Sequence, residues 1–283
     1  MNRLSYILLM VLAALTSCSK ETSAPDDPGW DNPGSGSNSQ LVVMSYNIRH
    51  CAPYYGTSDM TVADVEGTAA VIKSKKPDVV MLQEVDKVTT RSLKIDQAQK
   101  IAQLAGYPYY QFFKLMDYQG GEYGLAILSQ KPLKDAYTYA LPSTINNVTV
   151  QSNAIVGSVT ITVDGNDITL LDTHLSVYQT DRDVQMPYIA EHVLAKISRP
   201  VILAGDFNAT PDNATITTLD AAGYTRTNTD ATKYTIPSNA PNRQIDYISY
   251  YPKNKFSVVS HLVLTGISAS DHLPIISVLK IEK

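Results

Sequence analysis

The segment Pro200-Val201-Ile202-Leu203-Ala204-Gly205-Asp206-Phe207-Asn208 sets the terms for the rest of the chain. It opens as an apolar run with the length and composition of a buried strand. It breaks at Gly205 and delivers a carboxylate and a carboxamide two residues apart. Two residues is the strand period, so Asp206 and Asn208 can share one side at the strand's C-terminal edge. An Asp there can hold a water or a metal, and an Asn can donate a hydrogen bond to a developing oxyanion. A second reading is purely local: the strand ends in an Asx turn that starts a helix at Thr210-Pro211-Asp212. The segment alone does not choose between them.

The same grammar recurs along the chain. An apolar run over 41–46 ends in Asn47, and one over 78–83 ends in Glu84. Residues 168–171 lead to Asp172 and His174. Asp246 stands inside Ile245-Asp246-Tyr247-Ile248, where an acid in an apolar strand needs a partner. Asp271-His272 precedes Leu273-Pro274-Ile275-Ile276. One polar residue at a strand end is unremarkable. Six such ends bearing Asn, Glu, Asp and His exceed what turns explain, because strand ends meet at one rim of a sheet.

Between these strands the pattern predicts a helix with Val62, Val65, Ala69 and Ile72 on one face, ended by Pro77. Further helices are predicted over 95–105, 181–197 and 213–222. Further strands fall at 109–114, 124–129, 154–163, 168–173, 245–250, 256–264 and 275–281, with a hairpin turn at Gly165-Asn166. Helices separate only some strands, and no short repeat is present. That order predicts an α/β (α+β) fold: a four-layer αββα sandwich of two mixed sheets flanked by helices.

The 283 residues suffice for one large domain, and a net charge of -4 gives no electrostatic footprint for duplex nucleic acid. Eighteen Tyr against four Phe is a composition that suits surfaces and clefts. Glu84, Asp271 and Asn47 are hard oxygen donors that suit Mg²⁺ or Mn²⁺. The five His do not follow a zinc-site spacing. A hard cation near several acids and amides points to attack of water on phosphorus, with the ion screening charge.

Tyr46-Asn47-Ile48, Leu82-Gln83-Glu84, Asp172-Thr173-His174-Leu175, Gly205-Asp206-Phe207-Asn208, Ile245-Asp246-Tyr247-Ile248 and Ser270-Asp271-His272-Leu273-Pro274 together resemble the successive motifs of the endonuclease/exonuclease/phosphatase superfamily. The resemblance runs from about residue 41 to 280 and implies Mg²⁺-dependent phosphoester hydrolysis on an αββα scaffold. By motif, it implies that Asn47 and Glu84 hold the metal, with Asp271 helping directly or through water. Asp206 would orient and deprotonate the attacking water. Asn208 and His174 would bond the phosphoryl oxygens, and His272, oriented by Asp246, would contact the phosphate. Arg91 and Arg243 are the candidate phosphate contacts. Two positions depart from the pattern: Gly124-Leu125 replaces a common Gly-Asn, and Gln130 stands where an Arg is frequent. Both remove polar groups near the expected cleft, which weighs against DNA or multiply phosphorylated inositol.

The N-terminus reads as a targeting segment. Arg3 precedes an apolar run over 6–15 that is too short to span a bilayer, and Leu15-Thr16-Ser17-Cys18 resembles a bacterial lipobox. The expected organisation is a lipoprotein signal peptide (1–18), a flexible linker (19–40) containing Trp30, and a phosphoesterase domain (41–283). An acyl-modified Cys18 would tether a monomer to a bacterial membrane on its extracytoplasmic side. Cys51 then has no disulfide partner and reads as a small buried hydrophobe. The expected function is hydrolysis of a small or lipid-linked phosphoester, with no stable nucleic-acid partner. A secreted nuclease is the alternative, although the longest basic cluster is only Lys73-Ser74-Lys75-Lys76. A non-catalytic module would not need the intact acid, amide and His set.

Overall fold

The computed structural model describes residues 39–56 and 60–282. The expected signal segment, Cys18 and all but the last two residues of the expected linker lie outside the described residues. Along the chain run β1 (Gln40–Asn47), α1 (Val65–Lys75), β2 (Val79–Lys87), α2 (Gln97–Ala105), β3 (Tyr109–Tyr118), β4 (Gly121–Ser129) and β5 (Lys134–Ala140). A short hairpin of β6 (Thr144–Ile145) and β7 (Val148–Thr149) leads to β8 (Ile155–Val163), β9 (Asn166–His174), α3 (Gln179–His192) and β10 (Val201–Asp206). The remaining elements are α4 (Ala214–Ala221), β11 (Thr225–Arg226), β12 (Asp246–Tyr251), β13 (Phe256–Val263) and β14 (Ile275–Ile281).

Two six-stranded sheets carry the fold, in the orders β13-β14-β1-β2-β4-β3 and β11-β12-β10-β9-β8-β5. Each has one parallel pair at its centre, β1 with β2 across α1 and β9 with β10 across α3. Antiparallel neighbours flank both pairs. The two halves repeat one plan at long range, although the sequence shows no short repeat.

Strand alternation builds the layers. Leu41 and Val43 of β1 face the second sheet, while Val42, Met44 and Tyr46 face α1 and α2. Ile202 and Ala204 of β10 join the inter-sheet layer, while Val201, Leu203 and Phe207 pack under α3 and α4. Three apolar layers between four layers of elements give the expected αββα sandwich. Each fully buried Leu, Ile or Phe contributes about 1.5–3 kcal/mol.

Several boundaries differ from expectation for local reasons. Val62 is exposed and precedes α1, because the Asp64 side chain caps the helix by accepting the Gly67 N–H at 2.8 Å. Helix α3 stops at His192 and a 3-10 turn, Leu194–Lys196, covers the rest of the expected span. The hairpin turn is Asp164-Gly165, both at positive φ as a two-residue loop requires, and Asn166 already belongs to β9. Strands β5 to β7 were not expected; β5 is a largely exposed edge with little apolar alternation to signal it. Cys51 is buried, and burial pushes its thiol up to about 12, so it behaves as an inert core residue.

Candidate active site

Parity carries most of the chemical groups to one place. Asn47, His174, Asp206 and Asp246 each continue the inter-sheet face of their strands, Asp206 and Asp246 one step beyond the apolar residues and Asn47 and His174 two, past Ser45 and Asp172. Register aligns them, with Asp206 opposite His174 on one side and opposite Asp246 on the other. Glu84 has the wrong parity: it follows Val80 and Leu82, which face the helices. A bulge between Leu82 and Val85, with Glu84 at φ 57, turns the carboxylate back to the rim. Strand β2 therefore does not end at Glu84 but continues to Lys87.

The groups lie within hydrogen-bonding range of one another. Asn47 Nδ2 donates to Glu84 Oε1 at 3.0 Å and to Asp206 Oδ2 at 3.1 Å. Asp206 Oδ2 is 3.4 Å from His174 Nε2 and 3.6 Å from His272 Nε2. The other oxygen of Asp206 accepts the Asn208 N–H at 2.8 Å. The Asx turn of the local reading is thus present at this oxygen, although α4 begins only at Ala214, capped by Asn213. The strand ends at Asp206, and Asn208 at φ 49 swings its amide to Leu175 O (2.9 Å) and beside His174 Nε2 (3.2 Å).

His272 Nδ1 meets the two Asp246 oxygens at 2.9 and 3.1 Å. Burial opposes charge on the imidazole, but Asp246 and then Asp206 outweigh it and raise the His272 pKa to about 10. His272 is therefore an imidazolium held between two carboxylates. Asp271 Oδ2 lies 3.6 Å from Arg49 Nε. Arg49, buried and resting over the Tyr54 ring, is a site cation that the sequence reading missed.

Asp172 does not reach the rim. It points between the sheets, where Gln83 Nε2 donates to it at 2.7 Å, and burial pushes its carboxyl well above the usual range. This pair pins the two sheets together one step below the site.

A cleft of about 550 Å³ opens from Glu84 and His174 past Arg91, Met116, Tyr118 and Tyr123. Arg91 lines it but is committed: Nε and Nη2 clamp Asp86 at 2.8 and 2.9 Å, and the guanidinium lies 4.5 Å from the Tyr118 ring centroid. Arg91 therefore offers only Nη1 to a ligand. Arg243 is exposed, and its side chain makes no hydrogen bond or ion pair among the described residues. It does not line the cleft.

The donor set fits a divalent cation. Carboxylates from both sheets, Glu84 and Asp206, converge on the single amide nitrogen of Asn47. Hard oxygens gathered this way suit Mg²⁺ or Mn²⁺. The buried Asp206, Asp246 and His272 also form a group that could hold a metal ion. Asp246, however, spends both oxygens on His272 Nδ1, so the open donors lie on the Glu84 side. The Asn47 oxygen accepts the Arg49 N–H at 3.0 Å, so a cation bound by that oxygen requires the amide to turn.

The fold is shared with solved structures. An endonuclease/exonuclease/phosphatase from Beutenbergia cavernae is 25% identical with a TM-score of 0.70, covering 86% of this chain and 72% of that one. The human Nocturnin catalytic domain is 20% identical, TM-score 0.65, covering 86% and 95%. A mannosyl-6-phosphatase from Bacteroides thetaiotaomicron is 18% identical, TM-score 0.64, covering 84% and 99%. A search of curated proteins found no match. The model of the Endonuclease/Exonuclease/phosphatase family matches residues 44–272, a span that contains every residue of the cluster, and the chain therefore belongs to that family of phosphoester hydrolases.

Proposed function

We infer that this chain hydrolyses a small phosphoester with the aid of Mg²⁺ or Mn²⁺. The observation that carries the reading is Asp206 Oδ2, held among His174, His272 and Asn47 at the seam of the two sheets. Asp206 takes a proton from water as the water oxygen bonds to phosphorus. The P–O bond to the leaving group breaks, and the departing oxygen takes a proton from solvent. His174 and the His272 imidazolium face the phosphoryl oxygens as charge builds on them, and the Asn208 N–H that is not given to Leu175 O turns to them from His174. Asp246 holds His272 in its charged form. Glu84, with Asn47 and Asp271, would hold the ion, which supplies charge screening at the phosphate. The nuclease alternative has no support in the cleft, whose one lining cation is already bound to Asp86.

We also infer an extracytoplasmic protein tethered through a lipidated Cys18, on the strength of the Leu15-Thr16-Ser17-Cys18 motif. Cys18→Ala would then move the protein from the membrane fraction to the soluble one. For the chemistry, turnover of p-nitrophenyl phosphate and bis-p-nitrophenyl phosphate is measured with and without EDTA. Turnover that EDTA abolishes is expected; undiminished turnover in EDTA overturns the metal-dependent reading.

A further inference from the structure

The cleft extends beyond the groups that hydrolysis needs. Part of this outer half is aromatic and apolar, with Tyr118, Tyr123, Leu115 and Met116. The two tyrosine rings stand 6.1 Å apart and are inclined at 52°, with the Arg91 guanidinium over one face of each, so that each ring offers a ligand its other face and edge and the pair forms no flat slot for a planar base. The rest is polar and comes from Gln151, Ser152, Asn153 and Ser176.

That polar part is built with care. Asp181, in the first turn of α3, accepts the N–H groups of Gln151 and Ser152 at 3.0 and 2.9 Å and the Ser176 hydroxyl at 2.8 Å. Gln185, one turn on, donates to Ser152 O at 2.8 Å and accepts the Ser176 N–H at 3.1 Å. Asp181 and Gln185 are buried. Both backbone segments are therefore fixed. The side chains of Gln151 and Asn153 and the Tyr123 hydroxyl nonetheless make no hydrogen bond among the described residues.

Three kinds of leaving group suit this surface poorly. A polyanion finds no free cation except one guanidinium edge. An acyl chain laid over the Gln151 and Asn153 amides takes their water and gives no hydrogen-bond partner in return. A nucleobase can stack on only one of the two inclined rings. A puckered polyhydroxylated ring suits it: C–H faces rest on the tyrosines and hydroxyls reach the amides. The volume is that of a small-molecule site. We propose that the outer half of the cleft binds a neutral sugar or polyol, which is the leaving group of the scissile phosphoester. This rests on the phosphoesterase reading above.

The test offers three leaving groups, glucose (through its 6-hydroxyl), adenosine and dodecanol, each as the phosphate monoester and as the methyl phosphodiester, with release of the named alcohol as the readout. The full chain is assayed with Mg²⁺. The glucose ester is expected to exceed both others in kcat/KM by at least tenfold. Asn153→Ala and Tyr118→Ala should each reduce the ratio of kcat/KM for the glucose ester to that for p-nitrophenyl phosphate about tenfold. Preference for the adenosine or dodecyl ester, or an unchanged ratio in both variants, overturns the proposal while leaving the phosphoesterase reading intact. No turnover of any ester, p-nitrophenyl phosphate included, overturns both.

Discussion

Asp206 divides its two oxygens between structure and chemistry. Oδ1 closes the turn to Asn208, and Oδ2 faces both histidines. Asp206→Asn keeps the turn acceptor but removes the base, so kcat should fall by roughly 10²–10⁴-fold with an unchanged circular dichroism spectrum. Asp246→Asn tests the partner of His272: an amide cannot hold the imidazolium, and kcat should fall by about 10²-fold or more. A pH effect of another kind belongs to His261, far from the rim on β13. Its Nδ1 lies 2.9 Å from Ser277 Oγ and 3.0 Å from Thr227 Oγ1, its Nε2 is buried without a partner, and burial pushes its pKa down to about 4. The unfolded chain, with an ordinary His near 6.5, binds the extra proton first. The stability that His261 contributes is therefore present above pH 6.5 and lost as pH falls toward 4. His261→Asn should flatten the fall in Tm between those pH values; an unaltered slope would remove His261 as its source. At this scale the sequence was informative where chemistry and strand end coincide, as at Asn47, His174, Asp206 and Asp246. It was silent on Arg49, because nothing in Asn47-Ile48-Arg49 says that the guanidinium folds back to Asp271.

Two strands show how backbone geometry aims these groups. On β10, Gly205 sits at φ 151 and its missing Cβ leaves room for Thr173 O, which a Cβ would meet at 1.9 Å. A side chain here must push β9 from β10 at the rung next to His174 and Asp206. Gly205→Ala should cost about 3 kcal/mol or more in urea unfolding and lower kcat as well. Gly165→Ala provides the contrast: φ is also positive, but nothing lies within 4 Å, so only about 1–2 kcal/mol is expected. Equal costs would show that the close approach at Gly205 is not what matters. On β2 the bulge at Glu84 is the device, and it explains a limit of reading sequence. Periodicity places Glu84 with the helix-facing residues, and only the extra residue opposite β4 reverses that. Apolar runs announced β1, β2, β9, β10 and β14, whereas the exposed edge β5 carried no such signal.

The site exists only because two equivalent half-sandwiches meet. Glu84 comes from the sheet built around β1 and β2, and Asp206 from the sheet built around β9 and β10. The expected αββα layering followed from the order of elements, but the seam did not, because the sequence does not state which strand ends face each other. Buried Gln83 and Asp172 hold the seam from beneath. Above them, Glu84 and Asp206 turn one oxygen each toward one amide, and the His272 imidazolium lies beside Asp206 only, so a cation on the Glu84 side adds screening that the side chains do not supply. Binding of Mg²⁺ should therefore appear in the stability of the whole domain and not only in its activity. An ion at ten times its Kd, bound to the native state alone, stabilises by about 1.4 kcal/mol. For a domain of this size that is a rise in Tm of roughly 3–6 °C. Calorimetry in Mg²⁺ and in EDTA should show this difference for the native chain. Glu84→Gln should narrow it, while raising Tm in EDTA by removing the unscreened carboxylate charge. Equal Tm values with and without Mg²⁺ in the native chain, at concentrations that support turnover, would mean that the ion arrives with the substrate and that the two sheets do not form its site by themselves.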